Sequence, residues 1–151
     1  KYSAATVTAL DYPEISVEKA RSVNRKGLQA GRCRIIQGDV SHLPFENSAF
    51  DLVTAFETVY FWPGPTESFR EVYRTLRPGG IFLIANESDG ENSQDDKWLP
   101  VIDGMRIFNQ TQLTTFLTEA GFSEVVVKRN TKKHWLCALA IRENMGYLGN
   151  K

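Results

Sequence analysis

Residues 35–53 read IIQGDVSHLPFENSAFDLV and place two apolar segments on either side of a polar loop. The first segment, Arg34–Gln37, runs into Gly38-Asp39-Val40, so an acidic residue follows a short strand. The second, Phe50–Phe56, is apolar at most positions, which predicts a strand buried on both faces, as in a parallel sheet. The flanking segments extend this pattern into an alternation of strands and helices.

An earlier strand, Thr6–Leu10, ends in Asp11 and leads into a helix. Pro13 suits the first turn of that helix, because its missing N–H has no partner to lose there. We expect the helix to continue to Lys26 and to stop at Gly27. Asp11 raises a question, because an acid that binds a ribose normally follows a glycine-rich loop about 20 residues upstream. The ten residues before Asp11 contain no glycine.

An amphipathic helix follows the second strand of the opening stretch. Its apolar residues are spaced at i, i+3, i+4 and i+7. They are Phe69, Val72, Tyr73 and Leu76. Pro78-Gly79-Gly80 is expected to end this helix, and Ile81–Ala85 is a further buried strand. The segment from Asn86 to Phe108 has weak periodicity, which predicts a long loop.

The C-terminal part of the chain predicts one helix and two strands. Asn109 and Gln112 have the spacing of a capping box, and Gly121 ends the helix. Glu124–Lys128 and Trp135–Ile141 are joined by a loop too short for a helical crossover, so these strands must be antiparallel. The order β-α-β-β-α-β-α-β-β defines an α/β domain with a mostly parallel sheet covered on two faces.

Composition and charge fit one globular domain. The chain has 151 residues, and Lys+Arg and Asp+Glu both number 18, so no broad positive field favours nucleic acid or an anionic membrane. No apolar run approaches the length of a membrane span. Cys33 and Cys137 lie far apart in predicted strands, which favours buried free thiols over a disulfide or a metal site. We therefore expect a cytoplasmic protein with no nucleic-acid or membrane partner and no metal.

Four stretches of the chain resemble class I S-adenosylmethionine-dependent methyltransferases, in particular the small-molecule group called type 11. They are VTALDYPEISVEKA, IIQGDVSHLPFENSAFDLV, REVYRTLRPGG with IFLIANE, and the hairpin after EAGF. The resemblance implies a Rossmann-like sheet whose last two strands are antiparallel. It also implies that residues 1–151 form a partial, N-terminally incomplete methyltransferase domain, because the family's first strand and its glycine-rich loop have no counterpart here.

The resemblance assigns the cofactor S-adenosylmethionine to residues at strand ends. Asp11 resembles the family's ribose ligand, and Tyr12 beside it is placed to pack on the cofactor. Asp39, with Val40, resembles the residues at the adenine, where a carboxylate suits the exocyclic amino group. From the residues alone, the alternative for Asp11 is a solvated strand-end acid or a charge at a helix N-terminus. The alternative for Asp39 is a turn residue that bonds its own backbone.

The stretch AFETVYFWPG follows the strand Phe50–Phe56, where the family's residues face the sulfonium and the acceptor. The resemblance places Phe56 at the cofactor and Glu57, Tyr60 and Trp62 at the acceptor, since aromatic faces favour a sulfonium cation and planar or apolar ligands. The alternative is core packing beneath the next helix. No catalytic residue is assigned, because the cofactor supplies the reactive group and a base is needed only for some acceptors.

Three functions from different classes are consistent with the sequence. The first is methyl transfer from S-adenosylmethionine to a small molecule. The second is a non-catalytic remnant or fragment that acts as a binding or association module. In the family the absent strand is central, so its loss would expose strand edges that favour a homodimer unless a longer polypeptide or altered pairing fills the gap. The third is a nucleotide-dependent oxidoreductase, which would also place a strand-end acid on a ribose but is disfavoured by the terminal antiparallel hairpin. Tyr147 and Lys151 match a Tyr-x-x-x-Lys pattern near the end of the chain, which we interpret as a chance match.

Overall fold

The computed structural model of the chain describes residues 5–144. Residue contacts group the chain into two compact units, Lys1–Pro44 and Phe45–Lys151, named unit 1 and unit 2 below. The single domain expected from the sequence stays a prediction. The Tyr147 and Lys151 pattern lies outside the described residues. Within the described range, no helix is both long enough and apolar enough to cross a bilayer.

Unit 1 is a pair of parallel strands joined through two short helices. In chain order its elements are β1 (Val7–Asp11), α1 (Glu14–Val23), α2 (Arg25–Gln29) and β2 (Cys33–Gln37). The strands are in register from Val7 opposite Cys33 to Asp11 opposite Gln37. Parallel strands need a crossover of about a dozen residues or more, which the two helices supply. The strand–helix–strand order predicted for this segment is confirmed.

The prediction of a single helix that stops at Gly27 is wrong. Asn24 leaves the helical conformation, with φ −97° and ψ 16°, and separates α1 from α2. Gly27 lies inside α2. A Cβ at position 27 would stand 3.2 Å from the Cβ of Cys33. Glycine therefore allows α2 to approach β2 closely and is not a stop signal.

Unit 2 is a four-stranded mixed sheet with helices. Its elements are β3 (Phe50–Phe56), α3 (Pro65–Thr75), β4 (Leu76–Asn86), α4 (Gln110–Glu119), β5 (Glu124–Asn130) and β6 (Trp135–Ile141). The strand order is β3-β4-β6-β5. β3 and β4 are parallel, and β6 is antiparallel to both β4 and β5. The predicted α/β class and the C-terminal antiparallel hairpin are confirmed.

The core of unit 2 lies between one face of this sheet and the helices α3 and α4. Phe82 in β4 is 1% exposed, and its ring centroid lies 5.6 Å from that of Phe69 in α3. Leu113 and Leu117 present the buried face of α4. Burial of each such side chain stabilises the fold by about 1.5–3 kcal/mol relative to exposure. The helical spacing predicted for α3 is confirmed for Phe69, Val72 and the half-buried Tyr73. Leu76, the fourth residue of that predicted stripe, instead begins β4.

The opposite face of unit 2 is partly exposed, so the expectation that β3 is buried on both faces is wrong. Leu52 and Phe56 are 54% and 56% exposed, whereas Ala55 between them is 2% exposed. Val126 in β5 is also 51% exposed. This alternation is typical of a sheet covered on one side. Apolar composition alone does not distinguish a strand buried on both faces from a strand buried on one face.

The segment Pro78-Gly79-Gly80 lies inside β4, so the prediction that it ends α3 is wrong. α3 ends at Thr75 and the chain enters β4 at Leu76. Pairing with β3 jumps between Leu76 and Ile81, which marks a bulge. Gly79 has a φ of +78° and donates its N–H to the carbonyl of Arg142 at 2.8 Å. The glycine permits an irregular strand start.

The predicted caps of α4 are confirmed. The N–H of Gln112 donates to Oδ1 of Asn109 at 3.0 Å, and the N–H of Asn109 donates to Oε1 of Gln112 at 2.9 Å. Gly121 follows the helix with a φ of +109°. Asn86 ends β4, and the segment from Glu87 to Phe108 forms the predicted loop, in which the structure describes a short 3-10 turn, Asp95–Lys97.

Candidate functional site

The structure brings Asp11 and Asp39 to the same edge of the sheet in unit 1. Asp11 is the last residue of β1, and Asp39 lies two residues beyond the end of β2. The N–H of Gly38 donates to the carbonyl of Asp11 at 3.0 Å, which joins the two strand ends directly. The carboxyl ends of parallel strands are where α/β folds bind ligands. The two acids therefore occupy the position that the sequence predicted for them.

Asp11 and Tyr12 are both exposed in unit 1. Oδ1 of Asp11 accepts the N–H of Tyr12 at 2.9 Å. The Tyr12 side chain is 69% exposed, and its carbonyl accepts a hydrogen bond from Gln37 at 3.2 Å. Both the Asp11 carboxylate and the Tyr12 ring are therefore accessible to a ligand.

Asp39 has a local role in the turn Val40–His42. Its Oδ1 accepts hydrogen bonds from the N–H and the Oγ of Ser41, each at 2.8 Å. The bond from the Ser41 N–H, followed by that from its hydroxyl, lowers the pKa of Asp39, so the group is ionised at neutral pH. These bonds use Oδ1, which leaves Oδ2 for a ligand. Asp39 can therefore stabilise the turn and bind a ligand at the same time. Val40, the next residue, is half-buried.

A cavity of about 460 Å³ opens at one edge of the sheet in unit 2. The carboxyl ends of β3, β4 and β5 and the start of β6 line it. Its volume falls within the range of small-molecule pockets, roughly 300–1,000 Å³. Phe56 and Glu57, predicted at the cofactor and at the acceptor, are among its lining residues.

Strand register explains why a hollow forms at this place. Phe56 pairs with Ala85, Ala85 pairs with Cys137, and Cys137 pairs with Lys128. Paired residues project from the same face of a sheet, so these four side chains form one row. The two small residues in the middle of the row leave a depression between the larger ones. Trp135, two residues before Cys137, projects on the same side of β6.

Glu57 is held in a left-handed backbone conformation, with a φ of +57°. Its N–H donates to the carbonyl of Ala85 at 3.0 Å, and its Oε1 accepts the N–H of Glu87 at 2.6 Å. A non-glycine residue in this region costs on the order of 1 kcal/mol or more. These hydrogen bonds therefore hold the acid between the ends of β3 and β4 against local strain.

Tyr60 is buried in the core of unit 2 and Trp62 is half-buried against it, and neither is among the residues that line the cavity. Tyr60 is 3% exposed, its hydroxyl oxygen accepts the N–H of Ser88 at 3.0 Å, and burial raises its pKa far above the ordinary value. The Trp62 ring stacks on Phe82, with centroids 5.9 Å apart and planes at 10°. The core-packing alternative describes where both side chains lie. Their acceptor role stays a prediction.

Asn86 combines deep burial with unmet hydrogen-bonding capacity. It is 3% exposed, it is among the residues that line the cavity, and neither Oδ1 nor Nδ2 has a partner among the described residues. A buried polar group without a partner costs about 1–3 kcal/mol. Such an amide is expected where a ligand or water supplies the missing bonds.

Asp89 is a buried acid beside the cavity wall that the sequence analysis missed. Its fully buried carboxylate accepts hydrogen bonds from Nε and Nη2 of Arg129 at 3.1 and 2.8 Å. Burial alone would raise the pKa of Asp89, but the bonds from Arg129 and from the Glu91 N–H outweigh it, so the pKa is lowered. His134 Nδ1 lies 3.4 Å from the same oxygen. Because Arg129 lines the cavity, Asp89 fixes one wall of it.

The two cysteines are less buried than the sequence predicted. Cys137 is exposed at the cavity floor, and Cys33 is half-buried in β2. Both were expected to be buried because they fall in apolar strands. Cys137 instead points to the uncovered face of the unit 2 sheet, which the apolar pattern of β6 does not reveal.

A family model described as a methyltransferase domain matches residues 1–84 of the chain. The chain belongs to this methyltransferase family. The matched stretch contains both acids of unit 1 as well as Phe56 and Glu57 of unit 2. The resemblance noted in the sequence is thereby confirmed at the level of the family.

Curated plant methyltransferases are similar to parts of the chain. It is 33% identical over 84 residues to cycloartenol-C-24-methyltransferase 1 of Oryza sativa subsp. japonica, which covers 56% of this chain and 24% of that protein. It is 27% identical over 142 residues to cycloartenol-C-24-methyltransferase of Arabidopsis thaliana, which covers 88% and 42%. A rice 2-methyl-6-phytyl-1,4-hydroquinone methyltransferase is 29% identical over 126 residues, covering 82% and 36%. The chain thus spans less than half the length of these relatives.

Solved structures support the fold. A chain from the complex between the Trm112 methyltransferase activator and a methyltransferase of Haloferax volcanii superimposes with a TM-score of 0.81 at 19% identity, covering 92% of this chain and 73% of that one. A SAM-dependent methyltransferase of Thermotoga maritima gives a TM-score of 0.76 at 17% identity, covering 90% and 72%. At these identities the similarity establishes a Rossmann-like methyltransferase fold and nothing finer.

Proposed function

We propose that this chain carries the nucleoside-binding edge and part of the acceptor site of an S-adenosylmethionine-dependent methyltransferase that acts on a small molecule. The observation that carries the proposal is the pair of strand-end acids in unit 1, Asp11 and Asp39, joined through the Gly38 hydrogen bond within the family-matched stretch. The relatives named for sterol and hydroquinone methylation support a small-molecule acceptor.

The residues of unit 1 fit the nucleoside part of S-adenosylmethionine. The exposed carboxylate of Asp11 is suited to accept hydrogen bonds from the two ribose hydroxyls, and charged acceptors make strong bonds. Oδ2 of Asp39 is suited to accept from the adenine amino group while Oδ1 stays on Ser41. Tyr12 and Val40 flank these acids and supply apolar contact. When bound, the cofactor supplies a methyl group activated by a sulfonium.

In unit 2, residues at the end of β3 are placed to position an acceptor. Phe56 and Glu57 lie at the end of β3 and line the cavity. Glu57 is fixed by its bond to the Glu87 N–H, so it is a polar anchor for an acceptor group. It acts as a base only if the acceptor atom carries a proton of high pKa. We therefore assign positioning to Glu57 and no obligatory proton transfer.

Calorimetric titration of the 151-residue chain with S-adenosylmethionine tests the proposal. Asp11→Ala should weaken binding by about 1–3 kcal/mol, because a charged hydrogen-bond partner of the ribose is lost. Asp51→Ala is the matched control, since Asp51 is an exposed strand acid of unit 2. Equal affinity of Asp11→Ala and the unchanged chain would reject the ribose assignment. Failure of the unchanged chain to bind would favour the association module over the enzyme.

The association module has an observation of its own in its favour. Among the described residues, β1 pairs only with β2, and β3 pairs only with β4. Val7 on β1 is 59% exposed and Leu52 on β3 is 54% exposed. Unpaired edges with exposed apolar side chains favour pairing between chains. Sedimentation over a wide concentration range tests the homodimer, and a monomer at every concentration rejects it.

The oxidoreductase alternative has no observation in its favour within the described residues. The family match is to a methyltransferase, and the Tyr147 and Lys151 pattern lies outside the described range. Cytoplasmic localisation stays a prediction from the sequence.

A further inference from the structure

We propose that the exposed face of the unit 2 sheet binds the same face of a second copy of this chain, sheet against sheet. This goes beyond the association through strand edges considered above, because it uses side chains of the face and leaves the edges unpaired. It does not rest on the proposed function. Exposure, side-chain size and charge on this one face carry the proposal.

The exposed face of the sheet is apolar over three neighbouring rows of paired residues. Row 1 contains Leu52, Ile81, Ile141 and Glu124; row 2 contains Thr54, Leu83, Leu139 and Val126; and row 3, the row of the cavity floor, contains Phe56, Ala85, Cys137 and Lys128. All of these residues are half-buried or exposed, and Leu52, Phe56 and Val126 are each more than half exposed. A contiguous apolar surface of this kind is typical of an interaction site.

The sizes of the side chains make this face complementary to itself. A two-fold axis that lies across the strands over row 2 reverses the strand direction, so row 1 of each copy meets row 3 of the other. Ile81 then lies over Ala85 of the second copy, and Ile141 lies over Cys137 of that copy. A large side chain meets a small one at both positions, which allows two facing layers to interdigitate. Row 2 meets itself and is apolar at three of its four positions.

The charges on β5 favour the same arrangement. Glu124 and Lys128 are both exposed and lie on the same face, in row 1 and row 3. Four residues separate them, about 13 Å along a strand, so they do not pair within one chain. The axis over row 2 places Glu124 of each copy against Lys128 of the other, which gives two ion pairs. An axis over row 3 would instead set Lys128 against Lys128, and like charges directly opposite are destabilising.

The face has the size of a weak dimer interface. β3, β5 and β6 are each seven residues long. Four strands about 4.8 Å apart, at about 3.3 Å per residue, give a face of roughly 19 by 23 Å. Two such faces remove about 900 Å² from water, which lies below the ~1,200 Å² of the smallest standard interfaces. We therefore expect monomer and dimer to exchange, with the dimer present at high concentration.

The association has a consequence for the cavity of unit 2. Ile81 and Ile141 of the second copy and an acceptor would compete for the floor at Ala85 and Cys137. The dimer is therefore a closed state of the cavity. A ligand that binds this floor should shift the equilibrium towards the monomer.

The first experiment measures the dimer dissociation constant of the 151-residue chain by analytical ultracentrifugation, up to several hundred micromolar. Ala85→Arg places an unpaired charge opposite Ile81 in each half of the interface and should raise the dissociation constant by about a hundredfold or more. Thr131→Arg is the control, because Thr131 lies in the exposed turn before β6 and outside the three rows. Its dissociation constant should stay within about twofold of that of the unchanged chain.

Two outcomes of the first experiment would overturn the proposal. A dimer that persists undiminished in Ala85→Arg would be held by the strand edges and not by the face. A monomer at every concentration of the unchanged chain would leave the face without this partner. Circular dichroism shows whether Ala85→Arg keeps its fold, and the second experiment decides if it does not.

The second experiment exchanges the two charges on β5. Glu124→Lys and Lys128→Glu should each raise the dissociation constant by about threefold or more, because each creates two like-charge contacts. Both positions are exposed, so the fold should tolerate either change. The double variant should return to within about twofold of the unchanged chain, because opposite charges face each other again. Losses that add in the double variant would contradict the axis over row 2. None of these readouts depends on S-adenosylmethionine, so failure here is distinct from failure of the proposed function.

Discussion

Unit 1 and unit 2 share the α/β pattern but differ in how much apolar side chain they bury. Among the described residues, the buried hydrophobic side chains of unit 1 are Val17 and Ile35. Unit 2 buries a continuous set that includes Phe69, Phe82 and Leu113. The acids assigned to the nucleoside thus lie in the unit with little core, whereas the cavity lies in the unit with a substantial one. Unit 1 is therefore expected to have a lower free energy of local unfolding than unit 2.

The largest expected effect is on the core of unit 2. Phe82→Ala should lower the free energy of unfolding by about 3–5 kcal/mol, because the ring stands at the centre of an aromatic cluster and its loss leaves a cavity. Urea unfolding followed by tryptophan fluorescence measures this directly, since all three tryptophans belong to unit 2.

Val17→Ala is the matched substitution in unit 1, with an expected loss of about 1–2 kcal/mol. Hydrogen exchange should show faster exchange in β1, α1 and β2, while the tryptophan transition moves little. If both variants shift the tryptophan transition equally, the two units unfold together and the contrast drawn above fails.

An intermediate effect is expected at the buried ion pair of unit 2. The lowered pKa of Asp89 means that its contribution to stability is fully present above its ordinary value of 3.8. That contribution is lost as pH falls from there through the lower pKa of the folded state. Asp89→Asn should lower the free energy of unfolding at pH 7 by about 1–3 kcal/mol, because Arg129 loses a charged partner in a buried setting.

Asp89→Asn should also make the free energy of unfolding depend less on pH below about pH 4. Thermal unfolding at a series of pH values gives both quantities. Asp51→Asn is the control, because Asp51 pairs with Arg77 at 2.7 Å on the exposed surface. If the two variants have the same acid dependence, the pairing of Asp89 contributes nothing specific.

The smallest expected effect concerns the start of α4. Asn109→Ala removes the side chain that accepts from the Gln112 N–H and should cost about 1 kcal/mol. Gln110→Ala, one residue later and exposed, leaves the capping bonds in place. The denaturant midpoints of the two variants give the comparison. If Gln110→Ala lowers the midpoint as much as Asn109→Ala does, the capping box does not account for the stability of the start of α4.

Local signals in the sequence were sufficient for much of the fold. The capping box at Asn109, the i+3 and i+4 spacing of α3 and the short loop before β6 each depend on a few neighbouring residues, so they could be predicted without tertiary information. Asp11 and Asp39 were predicted at adjacent strand ends for the same reason. The position of each acid depends on where its strand ends.

The remaining features depend on contacts between distant parts of the chain. FDLVTAF is apolar on both sides, and only the absence of a covering element in unit 2 shows which side is exposed. Asp89 stands within a run of acidic and polar residues that predicts a loop, and its burial depends on Arg129, 40 residues away. The cavity floor needs the register that sets Ala85 beside Cys137. A short stretch of sequence does not contain the information needed to predict these long-range contacts.

The left-handed conformation of Glu57 has a consequence for protein engineering. Glycine at position 57 would relieve the backbone strain but would raise the entropy of the unfolded chain. That variant would also lose the carboxylate that holds the Glu87 N–H at 2.6 Å and would loosen the rim of the cavity. The strained acid is therefore a poor target for stabilisation, because the relief of strain is offset on both counts.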